Sequence, residues 1–210
     1  QFSALNKLKS KIKQKVQEAH FLATNIYKEN QHLKKERIVK KIKEALRYMR
    51  FNEGRGYYFI YELGGKNILL PTATKLENQN LWDLQDAKGD LTIRALSAIA
   101  KNEKEGFHTW YWYKPNQTNQ MSKKIGYTML FEPLNWFIGT GEYLIDFENE
   151  VKQNVLERIN QIHYSKKEYV FIVNYNGKYI NHIKNELVGT NQINLKDKNG
   201  VNITKQIIRA

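Results

Sequence analysis

The stretch Tyr57-Tyr58-Phe59-Ile60-Tyr61, closed by Gly64-Gly65, is rich in the residue types that suit a pleated, half-buried surface, and it ends in turn residues. It reads as a strand and a tight turn, with Asn67 to Leu70 as the returning strand and Pro71 as its stop. Because side chains alternate along a strand, Tyr57, Phe59 and Tyr61 share one face. The same text recurs downstream: Tyr169-Val170-Phe171-Ile172 and Gly177-Lys178 lie 112 positions after Tyr57 and Gly65. After a one-residue slip, Asn191, Asp197 and Gly200 follow Asn80, Asp86 and Gly89 by 111 positions. Self-similarity at a fixed offset marks one module used twice. The second copy reaches Ala210 where the first reaches Ile99, so a module without its last strands would leave a sheet edge uncovered, and a longer natural chain is expected.

Working outward, apolar residues from Leu5 to Leu46 recur at helical spacing with Lys and Glu between them. Glu29-Asn30-Gln31-His32 interrupts the pattern, which predicts a long helix, a break, and a second helix from about Lys34. Beyond the hairpin, a helix is predicted over Leu91 to Ala100, and strands over Gly106 to Tyr113, Lys124 to Phe131 and Trp136 to Tyr143. A further helix covers Asp146 to Ile162. The expected organisation is a helical segment at 1–50, a first module at 51–146, a connecting helix at 147–166 and an incomplete second module at 167–210.

Composition narrows the function classes. The chain has 13 Tyr, 9 Phe, 4 Trp and only 3 Pro in 210 residues, which suits a folded, aromatic-rich protein. Without Cys there are no disulfides, no thiolate catalysis and no cysteine-bound metal. No apolar run is long enough to span a bilayer. The net charge of +13 raises the question of nucleic acid, but the first 50 residues hold 14 Lys and Arg against 4 Glu, and the rest is nearly neutral. A basic helix ahead of a neutral body points to an anionic surface such as a membrane leaflet, or to a solvated face, rather than to nucleic acid.

Catalytic constellations are thin. The five His residues lack metal-ligand spacing, and neither a nucleophile elbow nor a phosphate-binding glycine loop is present. Asp86-Ala87-Lys88-Gly89-Asp90 lacks the spaced ligands of a calcium loop and reads as a turn ahead of a helix. No cofactor, metal or catalytic residue is expected. A binding pocket is better founded: Trp110 and Trp112 share a strand face, as do Tyr57 and Phe59, and Arg55 and Lys124 supply cations beside them. A cation against an aromatic wall, away from bulk water, suits a small carboxylate. Such aromatics also serve as ordinary core.

In order, Arg55-Gly56-Tyr57-Tyr58-Phe59, Leu76 to Asn80 with Asp86 to Gly89, Gly106-Phe107 leading to Trp110-Tyr111-Trp112-Tyr113-Lys114-Pro115, Lys124 to Tyr127, and Trp136 to Tyr143 resemble the Cache domain of bacterial chemoreceptors, sensor histidine kinases and cyclic-dinucleotide enzymes. The resemblance covers residues 5 to 150, and the segment from Lys167 resembles the first half of the same domain. It implies an α+β fold in which a long N-terminal helix packs on a PAS-like antiparallel sheet, followed by the first part of a second PAS-like module. It also implies the periplasmic part of an inner-membrane receptor, a homodimer through the N-terminal helix, and no catalysis in this region. The output domain would be a kinase, a cyclic-dinucleotide enzyme or a chemotaxis module. The implied ligands are acetate, pyruvate, lactate or propionate, and the implied pocket residues are Tyr57, Phe59, Trp110, Trp112, Lys124 and Tyr127, with Arg55 at the edge. Lys124 and Tyr127 are three positions apart, so strand alternation keeps both from facing inward. Relatives often carry His-Pro after the second strand; here Leu70-Pro71 stands in the first copy and His182-Ile183 in the second, which points to a more apolar acid in the first pocket. The alternative is a structural or dimerisation module with a vestigial pocket.

Overall fold

The computed structural model describes residues 2–115, 117–165 and 168–209. The chain divides into two compact units, 1–148 and 149–210. The expected boundary at residues 166 and 167 lies outside the described residues.

In the first unit the helical pattern resolves into α1 (Phe2–Glu29) and α2 (Lys35–Arg47), separated where the apolar spacing breaks. Then come β1 (Phe59–Glu62), β2 (Asn67–Leu69), α3 (Thr92–Glu103), β3 (Glu105–Lys114), β4 (Gln117–Phe131), β5 (Trp136–Tyr143) and α4 (Leu144–Asn160), which runs across the division between the units. The five strands form one antiparallel sheet in the order β2-β1-β5-β4-β3, the α+β, PAS-like arrangement that the sequence implies.

Alternation sorts the side chains to the two faces. On one face, Tyr58 just ahead of β1 and Ile60 within it, with Phe131, Trp136 and Ile138, meet Ala19 and Ala23 of α1 and Ile38, Ile42 and Leu46 of α2. Nearer the start of α1, Leu8, Ile12 and Val16 cover Ile125 and Tyr127 of β4. On the opposite face, Tyr57, Phe59 and Tyr61 join Trp110, Trp112, Phe137 and Tyr143 beneath Ile93, Leu96 and Ala100 of α3. Burying one large apolar side chain contributes about 1.5–3 kcal/mol, so both layers hold the sheet.

The second unit repeats the local plan of the first. Its hairpin β8 (Ile172–Val173) and β9 (Tyr179–Asn181) pairs Ile172 with Asn181 and Val173 with Tyr179, as β1 and β2 pair Ile60 with Leu69 and Tyr61 with Asn67. Both copies carry the same register irregularity. Gly65 and Gly177 sit at φ +93° and +83°, a backbone region open to glycine but strained for other residues. Asn80 donates to the Gly64 carbonyl and accepts from the Trp82 amide; Asn191 does the same with Asn176 and Ile193. Each turn ahead of a helix is tied by an aspartate, Asp86 accepting from the Lys88 and Asp90 amides and Asp197 from those of Asn199 and Val201. The remaining elements are β6 (His163–Ser165), β7 (Glu168–Tyr169) and α5 (Ile203–Arg209).

Candidate functional site

Between α3 and the aromatic face of the sheet lies a cavity of about 20 Å³, lined by Tyr57, Phe59, Tyr61, Leu70, Thr92, Ile93, Leu96, Trp110 and Trp112. A volume of that size holds about one water. The rings fix its shape: Phe59 meets Trp110 edge-on at 6.0 Å, and Tyr61 stacks on Phe137 at 5.5 Å. Four predicted site residues, Tyr57, Phe59, Trp110 and Trp112, thus come together on one wall.

Lys124 lies directly behind that wall. Its residue is 0% exposed, and its Nζ has no hydrogen-bond partner among the described residues. The ammonium sits 4.0 Å from the centroid of the Tyr57 ring, 4.9 Å from that of Tyr143 and 5.8 Å from that of Trp110. Register places it there, since Lys124 pairs with Trp110 across β3 and with Tyr143 across β5. Burial pushes the Tyr57 phenol up, but the Lys124 ammonium, with the neighbouring Thr72 and Tyr143 hydroxyls, outweighs it and holds the phenol below its usual value. Tyr143 is driven well above the ordinary phenol range, first by burial and then by Tyr57; its hydroxyl donates to the Tyr113 carbonyl at 2.5 Å.

Two of the seven expected residues stand elsewhere. Tyr127 projects to the other face, against α1 and edge-on to Phe107 at 4.5 Å, with Lys13 Nζ 5.2 Å from its ring centroid. Strand alternation forces that choice once Lys124 lies on the aromatic face with Tyr57, Trp110 and Tyr143. Arg55 does not line the cavity either; its guanidinium reaches the buried Glu142 carboxylate at 3.4 and 3.5 Å and Glu53 at 3.2 Å. An ion pair with a partner 87 positions away could not be read from local sequence.

Thr92, Ile93 and Leu96 escaped the sequence reading because helical residues that cover a sheet look like ordinary core. Tyr143 was recoverable by setting the β4 and β5 stretches in register. The loops that close the cavity are held by charge. The Leu70 amide donates to Glu77 at 2.9 Å, and the Glu77 carboxylate takes a bidentate pair from Arg47 of α2 at 2.9 and 2.7 Å. Burial raises the Glu77 carboxyl, but Arg47, the Leu70 amide and Lys43 together hold it below the usual range. Asp86, read as part of a turn, also accepts the Tyr111 amide at 2.9 Å and so pins its loop to β3. Arg94 of α3 binds Asp83 and the Trp82 carbonyl. Among the described residues no cluster of His, Cys, Asp or Glu could hold a metal, and no helix is long and apolar enough to cross a membrane.

Comparison with known proteins agrees with this fold. The Cache domain family matches residues 2–210. Over 106 residues the chain is 36% identical to the sensor histidine kinase MctS of Rhizobium johnstonii, and over 107 residues 31% identical to the methyl-accepting chemotaxis protein McpP of Pseudomonas putida. These matches cover 50% and 51% of this chain but only 23% and 19% of the relatives. A periplasmic sensor domain of a chemotaxis protein superposes with a TM-score of 0.63 at 25% identity, covering 67% of this chain and 97% of that one. A Cache chemosensory domain studied for carboxylic acid recognition gives 0.63 at 26% identity, covering 69% and 99%. The chain belongs to the Cache family, and it is a sensor domain of the kind that chemoreceptors and sensor histidine kinases carry.

Proposed function

We propose that the first unit senses a small monocarboxylic acid, such as acetate, propionate, lactate or pyruvate, and that Lys124 anchors the carboxylate. The observation that carries this reading is the buried ammonium without a hydrogen-bond partner, one ring away from an apolar cavity. An isolated buried charge is expensive unless something compensates for it. Three aromatic rings compensate in part, and a carboxylate would do so more fully through charge-assisted hydrogen bonds. Carboxylic acid recognition by a similar domain supports the same ligand class.

The cavity of about 20 Å³ is smaller than any of these acids, so binding requires the α3 side and the sheet to part. A ligand that favours the parted arrangement shifts the population toward it. The pocket wall at Leu70 is bonded through Glu77 to α2, which gives the shift a physical route to the helical face of the sheet. In the proposed receptor this region lies in the periplasm, tethered to the inner membrane outside these residues. The proposal includes a homodimer formed through α1 and an output by kinase, chemotaxis or cyclic-dinucleotide domains.

A thermal-shift series with the four acids tests the reading. A ligand at 100 times its Kd stabilises by about 2.7 kcal/mol. The small cavity favours one rival, a structural module with a vestigial pocket, and the absence of a shift with every acid would establish that rival.

A further inference from the structure

A second buried, unpaired polar atom belongs to a residue that lines the cavity. Thr92 begins α3, is 3% exposed and lines the cavity, yet its Oγ1 has no hydrogen-bond partner among the described residues. It caps no helix: the residue before α3 is Leu91, and its side chain makes no capping bond. A buried hydroxyl left unpaired is costly. The other lining positions are the aromatics with Leu70, Ile93 and Leu96, so Thr92 is the wall's aliphatic hydroxyl, and no acidic residue lines the cavity.

We infer that Thr92 makes the pocket selective for 2-hydroxy and 2-oxo monocarboxylates, its hydroxyl pairing with the ligand's substituent while Lys124 holds the carboxylate. This rests on the carboxylate reading given above. The chemistry of the wall excludes two neighbouring classes. An α-amino acid would bring an ammonium toward the buried Lys124 behind the wall, into a cavity with no acidic lining residue. A dicarboxylate would bring a second charge with no second cation to receive it. A hydroxyl or a keto oxygen carries no charge and needs only one partner. A plain acid such as propionate would leave Thr92 unpaired, and a site built to hydrogen-bond a substituent discriminates against analogues that lack it.

The test is calorimetric titration of the 210-residue chain with lactate, pyruvate, propionate and alanine, compared with Thr92→Val and Thr92→Ser. Valine keeps the shape and removes the hydroxyl; serine keeps the hydroxyl. The expected result is tighter binding of lactate and pyruvate than of propionate, a loss of about tenfold for those two acids in Thr92→Val, and propionate affinity unchanged within about twofold. Thr92→Ser keeps the preference. A purely structural role would move all the acids together, so the lactate-to-propionate ratio is the decisive reading. An unchanged ratio in Thr92→Val, or alanine binding as tightly as lactate, overturns the role of Thr92 while leaving the carboxylate reading intact. If the wild-type chain binds none of the acids, the carboxylate reading fails and this inference fails with it.

Discussion

Replacing Lys124 by Met separates sensing from folding. Methionine matches the length of the lysine stem and removes the charge. In the ligand-free protein the ammonium is fully buried, and its desolvation costs several kcal/mol. Contacts with the Tyr57, Tyr143 and Trp110 rings at 4.0, 4.9 and 5.8 Å return part of this, up to about 2 kcal/mol for each well-placed desolvated ring. The Trp110 contact is long, so the sum falls short, and Lys124→Met should be more stable by about 1 kcal/mol, a rise in Tm of about 2–4 °C. Acid binding moves the opposite way. Wild-type protein at 100 times the Kd gains about 2.7 kcal/mol, or roughly 5–10 °C, and the variant gains nothing. Thermal unfolding of both proteins with and without lactate reads both effects. A variant that melts well below the wild type, or that still responds to lactate, would refute the reasoning, because it would mean that Lys124 is structural.

Three further outcomes follow from the contacts. Glu77→Gln should lower stability at neutral pH by about 1–3 kcal/mol through its buried charged bonds. Since Glu77 titrates below its ordinary 4.5 when folded, the wild-type advantage should be full above that pH and fade as pH falls below it, which chemical denaturation across pH would show. Arg55→Ala should cost about 1–2 kcal/mol because it strips a partner from buried Glu142, yet leave lactate affinity within about twofold; a large loss of affinity by calorimetry would return Arg55 to the site. Gly126→Ala would set a Cβ 2.5 Å from Trp110 Cη2 and 2.6 Å from the Thr140 carbonyl, so denaturant unfolding should report a loss of about 1–3 kcal/mol.

Local patterns made most of the fold legible, because alternation and helical spacing act over a few residues. The break at residues 29–32, the hairpin after Tyr61 and the strand Trp136–Tyr143 were all visible in that way. The repeat was legible because one hydrogen-bonding plan, Asn80 and Asp86 in one copy and Asn191 and Asp197 in the other, demands the same residues at the same spacing. The site was legible only in part. Alternation said that Lys124 and Tyr127 face opposite ways, but which of them joins the aromatic layer behind the cavity depends on the pairing of β4 with β3 and β5. Arg55 looked like a ligand contact because nothing near it in sequence announces Glu142. Thr92 stayed hidden because an unpaired hydroxyl is a property of its surroundings and not of its residue type.

The small cavity and the buried cation are two sides of one proposed design. A pocket standing open would bind acid without changing shape, and a ligand with equal affinity for two states shifts nothing. The aromatic wall packs against Lys124, and the loops from Leu70 to Thr92 are fastened by Glu77 to α2, by Asp86 to β3 and by Arg94 to Asp83. If acid binds as proposed, opening must loosen some of these contacts, and the apparent affinity is lowered by the fraction of molecules that are open. If that fraction is about 1%, affinity falls about a hundredfold. The same factor makes the response tunable: weakening Glu77 or Arg94 should tighten acid binding by populating the open state, while weakening Lys124 should abolish it. That opposition, gain of affinity from loop anchors and loss from the buried cation, distinguishes a sensor from a static pocket.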